Sequence, residues 1–139
     1  MIMRVTVSRK AHFNAAHRLH RTDWSNKKNQ SVFGKCSNEY FHGHNYELIV
    51  NVTGNIDPET GFVIDIKVLK DLIKTEIEDS FDHKNLNIEV PEFFELNPTA
   101  ENIAVVIYNK LISHLSKEQS LEIILYETPR NFVKYSGEK

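Results

Sequence analysis

From His42 to Val52 every second residue belongs to one set, His42, His44, Tyr46, Leu48, Val50 and Val52, and Asn45, Glu47, Asn51 and Thr53 fill most of the gaps. Only an extended chain puts alternate residues on one face, so the stretch reads as a strand with an apolar side and a polar side. An antiparallel sheet covered on one face accepts such a strand. The set opens with two imidazoles, and Gly43 between them removes the side chain that would crowd the opposite face.

Two histidines on one face suit metal ligation, but a catalytic zinc takes three protein ligands and keeps one position open. The segment Phe13-Asn14-Ala15-Ala16-His17-Arg18-Leu19 supplies a third. Val5, Val7, Phe13, Ala15 and His17 share the odd-numbered face of an upstream strand, with allowance for a bulge among them. Antiparallel pairing would bring His17 to His42 and His44, where three neutral imidazoles bind Zn2+. The plainer alternative is a His-Gly-His loop with His17 satisfied in the core.

Cys36 stands close enough before His42 for its loop to fold over such a metal. Three roles stay open for it: a thiolate base or nucleophile, the fourth ligand of a closed site of one cysteine and three histidines, or a buried inert thiol. Asp82-His83 follows a predicted helix, and an aspartate can orient a histidine for acid–base work, although a loop contact is the commoner meaning of such a pair. Glu127 at a strand end offers a carboxylate for a guanidine-like ring edge. Thr99 and Glu101 are further ligand candidates, with helix capping a sufficient account of Thr99.

A chain of 139 residues fits one domain over 1–139 with a sizeable core. Seventeen basic against nineteen acidic side chains, with no block of either sign, argue against nucleic acid as a partner. Arg18, Arg21, Lys27, Lys28 and Lys35 nevertheless cluster around the histidine segments, as a solvated loop or for an anionic substrate group. A single cysteine excludes an internal disulfide, and Met1-Ile2-Met3-Arg4-Val5 lacks the apolar core of a signal peptide; both predict a cytoplasmic location. No apolar run is long enough to span a bilayer, so no membrane association is expected.

The order of elements is strand, strand, helix, helix, strand, strand. Asp65 caps a predicted helix to about Ser80 on the stripe Ile66, Leu69, Ile73 and Ile77, and Thr99 caps a second to about Ser116. Leu121–Tyr126 and Phe132–Tyr135 close the sheet, while Arg21–Gly34 reads as a polar loop. These predict an α+β domain, a four-stranded antiparallel sheet with two helices on one face, whose open edges favour pairing with another copy.

Five blocks run in order along nearly the whole chain: Phe13–Leu19, Phe33-Gly34-Lys35-Cys36 with His42-Gly43-His44-Asn45-Tyr46, Phe81–Leu86, Pro98-Thr99-Ala100-Glu101-Asn102, and Tyr126-Glu127-Thr128. In combination they resemble the 6-pyruvoyl-tetrahydropterin synthase family. The resemblance implies the tunnelling fold, in which small sheets join into an oligomeric barrel, a homotrimer or a hexamer of stacked trimers. It implies zinc on His17, His42 and His44, and Cys36 as the catalytic thiolate. Asp82 and His83 would complete the proton relay from a neighbouring subunit. Glu127 would anchor the pterin, with Thr99 and Glu101 as further contacts. The implied reaction is a zinc-dependent loss of triphosphate from 7,8-dihydroneopterin triphosphate to give 6-pyruvoyl-tetrahydropterin, without a redox cofactor. A sister activity cleaves the side chain, releasing acetaldehyde and 6-carboxytetrahydropterin for 7-deazaguanine (queuosine) biosynthesis; the five residues between Cys36 and His42 resemble the pyruvoyl-forming group. Members with glutamate at the Cys36 position are disfavoured. A non-catalytic zinc- or pterin-binding module and a generic zinc hydrolase are the readings from other classes.

Overall fold

The computed structural model describes residues 3–138. Met1 and Ile2, part of the opening stretch read above for a signal peptide, and Lys139 of the expected domain lie outside the described residues. The strands are β1 (Arg4–His17), β2 (His42–Asn55), β3 (Lys84–Asn85), β4 (Ser120–Tyr126) and β5 (Phe132–Tyr135). β1 and β2 pair antiparallel in one register from Arg4 opposite Asn55 to His17 opposite His42, and the bulge allowed for in β1 is absent. β4 adds to β2 and β5 to β4, both antiparallel.

The sheet is five-stranded and mixed, in the order β3-β1-β2-β4-β5, where a four-stranded antiparallel sheet was expected. The additional strand is β3, which runs parallel to Ala15 and Ala16 on the outer edge of β1. Two residues carry no alternation to read. The strand exists because His83, in a left-handed conformation with φ 60°, turns the chain along β1 and donates its N–H to Asn14 O at 2.6 Å.

The helices are α1 (Asn26–Phe33), α2 (Ile66–Ile73), α3 (Asp79–Phe81), α4 (Leu86–Glu89) and α5 (Ala100–Ile112). The Asp65 carboxylate accepts from Lys67 N–H at 2.8 Å and the Thr99 hydroxyl from Asn102 N–H at 3.2 Å, so both expected caps start their helices. A π-helical turn over Lys74–Glu78 joins α2 to α3. α5 stops at Ile112, short of the expected Ser116. α1 replaces the polar loop expected over Arg21–Gly34. Its inward residue is Asn29, 2% exposed, whose side chain bonds the backbone of Arg21, Trp24 and Ser25. A helix that buries an amide shows no apolar stripe.

Leu69, Ile73, Ile77 and Phe81 pack with Ile103, Ile107 and Leu111 over one face of the sheet, against Phe13, Tyr46, Leu48, Val50, Val52, Leu121, Ile123 and Leu125. Phe13 stacks on Tyr46 at 4.9 Å between centroids and meets Phe81 edge-on at 5.4 Å. The other face is exposed and polar, laced by cross-strand bonds from Thr6 to Thr53, Ser8 to Asn51, Asn14 to Asn45 and Asn51 to Glu122. The one-residue alternation therefore decides which side of β1 and β2 meets the helices, and it puts His17, His42 and His44 on that side.

Candidate metal centre and active site

His17 and His42 face each other as the last β1–β2 pair, and His44 stands opposite Ala15 two residues along. Register alone thus collects three imidazoles at the sheet end. Their rings lie 4.6–5.0 Å apart between centroids and stand steeply to one another. One ring nitrogen from each lies within 4.8 Å of the others, the convergence a single ion needs. His17 is completely buried.

The protonation pattern suits a cation. His17 Nδ1 lies 2.7 Å from Pro98 O, and since a carbonyl only accepts, that nitrogen carries the hydrogen and Nε2 is left with a lone pair. His17 Nε2 stands 3.1 Å from His42 Nε2. His42 Nδ1 and His44 Nε2 are buried with no hydrogen-bond partner among the described residues. Buried polar atoms are rarely left unpaired, and an imidazole nitrogen without a hydrogen-bond partner can offer its lone pair to a cation. Burial, outweighing the Pro98 bond, lowers the His17 pKa to about 4, and burial with the neighbouring His44 also lowers that of His42. Both rings are held neutral, as ligands must be.

Cys36 sits in a short 3-10 turn (Gly34–Ser37), half-buried, and its carbonyl accepts from Leu19 N–H at 2.7 Å. Its sulfur is not part of the three-imidazole cluster. Burial first, then the Glu127 carboxylate, push the Cys36 thiol up, so the chain's own groups keep it protonated. The Tyr46 hydroxyl, 3.4 Å from His17 Nδ1, is raised by burial and by Glu127 and Cys36 as well, which places thiol, carboxylate and metal corner in one electrostatic neighbourhood. Glu127 Oε1 lies 4.0 Å from His44 Nε2, and the two residues share a cleft of about 550 Å3 with Gly43, Asn45, Tyr126 and Thr128.

The other candidates lie apart. Asp82 Oδ1 accepts from Asn14 N–H at 2.8 Å and Oδ2 lies 2.9 Å from His83 Nδ1, so the two adjacent side chains meet. Among the described residues this pair bonds neither the imidazoles, Cys36 nor Glu127. Thr99 spends its hydroxyl on the α5 cap, and Glu101 is exposed in the first turn. The Pro98 carbonyl was invisible in sequence, since a backbone acceptor has no side-chain signature; its one local signal is the Pro98-Thr99 helix start.

Three converging imidazoles at the mouth of an antiparallel hairpin, with the Glu127 carboxylate beside them, define a protein with a three-histidine cluster that could hold a metal ion. Residues 6–138 match the family described as 6-pyruvoyl tetrahydropterin synthase, and the chain belongs to that family. The 6-pyruvoyl tetrahydrobiopterin synthase of Pongo abelii is 44% identical over 132 residues, covering 95% of this chain and 91% of that protein. The 6-carboxy-5,6,7,8-tetrahydropterin synthase of Rickettsia conorii is 30% identical over 148 residues, covering 94% of this chain and 99% of that protein. The solved 6-pyruvoyl tetrahydropterin synthase of Caenorhabditis elegans superposes with a TM-score of 0.92 at 37% identity, over 99% of this chain and 98% of that one.

Proposed function

We propose that the chain is a single pterin synthase-like domain acting as a zinc-dependent carbon–oxygen lyase, converting 7,8-dihydroneopterin triphosphate to 6-pyruvoyl-tetrahydropterin with loss of triphosphate. The observation that carries the reading is the convergence of His17, His42 and His44 with unpaired ring nitrogens, in a chain 44% identical to a protein of that name.

A zinc ion on these imidazoles would supply Lewis-acid charge beside the substrate side chain and favour the thiolate of Cys36. Glu127 would hold the pterin through its 2-amino and ring N–H groups, and the cleft it shares with His44 supports that placement. Thr99 and Glu101 are weaker pterin contacts. Cys36 would take a carbon-bound proton and His83, oriented by Asp82, would return one; the oxidation and reduction are internal to the side chain, so only protons and triphosphate move. Because Asp82 and His83 do not meet Cys36 within one chain, the relay needs a second copy. The exposed sheet edges support a homo-oligomer, a trimer or hexamer closing into a barrel. The proposed location is the cytoplasm. Among the described residues no helix is long and apolar enough to cross a membrane. The net charge of −2 gives no support to a nucleic-acid partner.

The carboxy-forming reaction finds less support, its named relative being 30% identical. A closed module with cysteine as fourth ligand finds little, since the Cys36 sulfur lies outside the imidazole cluster. Incubation of the purified oligomer with dihydroneopterin triphosphate separates the readings. The expected result is release of triphosphate without acetaldehyde. Acetaldehyde would transfer the chain to the sister activity, and no turnover at full zinc loading would leave a binding module.

A further inference from the structure

We propose that Asn87 is a positioning residue for the metal centre, its side-chain amide clasping the backbone of Arg18 and so fixing the direction of the neighbouring His17 ring. The last β1–β3 pair is Ala16 with Asn85, and the last β1–β2 pair is His17 with His42. Beyond them the chain has no strand to lean on. Asn87 takes over: Arg18 N–H donates to Asn87 Oδ1 at 2.8 Å, and Asn87 Nδ2 donates to Arg18 O at 2.9 Å. These are the two bonds a neighbouring strand would have made, so one side chain extends the sheet past β3.

The clasp belongs to a larger grip. Leu19 N–H donates to Cys36 O at 2.7 Å, Arg18 Nε–H to Ser37 O at 2.8 Å, and His20 N–H to Asn97 Oδ1 at 3.1 Å. His17–His20 is thus held by three segments, those that carry Cys36, Pro98 and, through Asn87, the chain leaving Asp82-His83. Asn87 is itself anchored, its N–H donating to Asn85 Oδ1 at 3.1 Å. Among side chains of this size only an amide presents donor and acceptor together; aspartate keeps the acceptor and sets a charge against Arg18 O, and alanine keeps neither. His17 has little tolerance, because its Nδ1–H must reach Pro98 O while its Nε2 lone pair faces His42 Nε2. Partners that orient metal-binding histidines characteristically change metal affinity by about 10–100-fold when removed.

The inference rests on the reading that His17, His42 and His44 hold a metal. Zinc affinity of the full chain is measured by competition with a chromophoric chelator, together with amide exchange at Arg18 in metal-free protein, melting temperature and, at saturating zinc, kcat and KM. N87A should weaken zinc about tenfold or more and speed Arg18 exchange. N87D should fall between it and the parent, and kcat should drop further than KM rises. A lower melting temperature with zinc affinity, Arg18 exchange and kcat all within about twofold of the parent would make Asn87 merely structural and overturn the proposal. If N87A does not fold, N87D decides by the same readouts. A parent chain that retains no zinc would instead sink the metal reading, and the inference with it.

Discussion

The metal corner and the Asp82–His83 corner lie on either side of β1. At the first, His17 is sealed from solvent, its tautomer set by Pro98 O, and the partner rings are delivered by strand register. At the second, Asp82 is tied to the edge of β1 through Asn14 N–H, and the His83 side chain is 82% exposed on a left-handed backbone. Both histidine sets are oriented, but only one is enclosed. Imidazoles that converge on one point can be collected by one chain's register, whereas an aspartate–histidine pair on an open edge is free to meet whatever another surface brings to it. The left-handed conformation of His83, uncommon for a non-glycine residue, fits such a retained constraint.

The contrast is broken most forcibly at the enclosed corner. Replacing His42 with alanine removes one of the three converging imidazoles, and zinc affinity should fall by more than the roughly 10–100-fold typical of an outer partner. Zinc retained after dialysis should drop from stoichiometric to negligible, with turnover lost; unchanged zinc would dissolve the metal corner altogether. Cys36→Ala should behave differently, keeping zinc and losing turnover by about 10²–10⁴-fold, the range of a proton-transfer group. Retained full activity would remove the thiolate from the chemistry.

A proton titration probes the same enclosure without mutation. In metal-free protein, the unfolded chain takes up a proton at His17 below about pH 6.5, while the folded chain refuses it until about pH 4. Across that window the unfolded state binds more protons, so stability is full above it and falls as pH falls, by on the order of 3 kcal/mol for this ring. Denaturant melts between pH 7 and pH 4 should show the decline, and bound zinc, by keeping protons off the folded rings throughout, should raise stability near pH 7 and make the decline steeper. A flat profile would mean that His17 is not held neutral by burial.

What was legible beforehand follows the same division. The alternation over His42–Val52 and the odd face ending at His17 fixed strand pairing and ligand convergence, because a period of two has one solution when one side is buried. The Asp65 and Thr99 caps were readable for a local reason, a side chain accepting from a backbone N–H two or three residues on. By contrast α1 hid behind Asn29, a buried amide where a stripe search wants an aliphatic, and β3 was too short to have a period. The Pro98 carbonyl and the Asn87 clasp depend on main-chain atoms meeting across long sequence separations, which no spacing encodes. The roles proposed for Glu127, Asp82 and His83 rest mainly on the family resemblance, since an adjacent aspartate–histidine pair and a strand-end carboxylate are weak signals alone.

The smallest expected change lies at the open corner and sharpens the contrast most. Asp82→Asn keeps an oxygen for Asn14 N–H and loses only the charge that orients His83. The Asp82 carboxyl is held below its ordinary value chiefly by the Asn14 bond, a contact the amide can still make, so the fold should survive. Zinc affinity should match the parent, since no bond joins this pair to the imidazoles, while turnover falls about a hundredfold. If the pair serves a site completed by another copy, mixing the Asp82→Asn and Cys36→Ala chains under subunit exchange should restore activity above that of either alone: some sites would then combine an intact thiol from one chain with an intact Asp82–His83 pair from the other. Activity that stays at the level of the two parents would place the whole relay within a single chain, and the two corners would have to close on each other by a movement of β3 along the edge of β1.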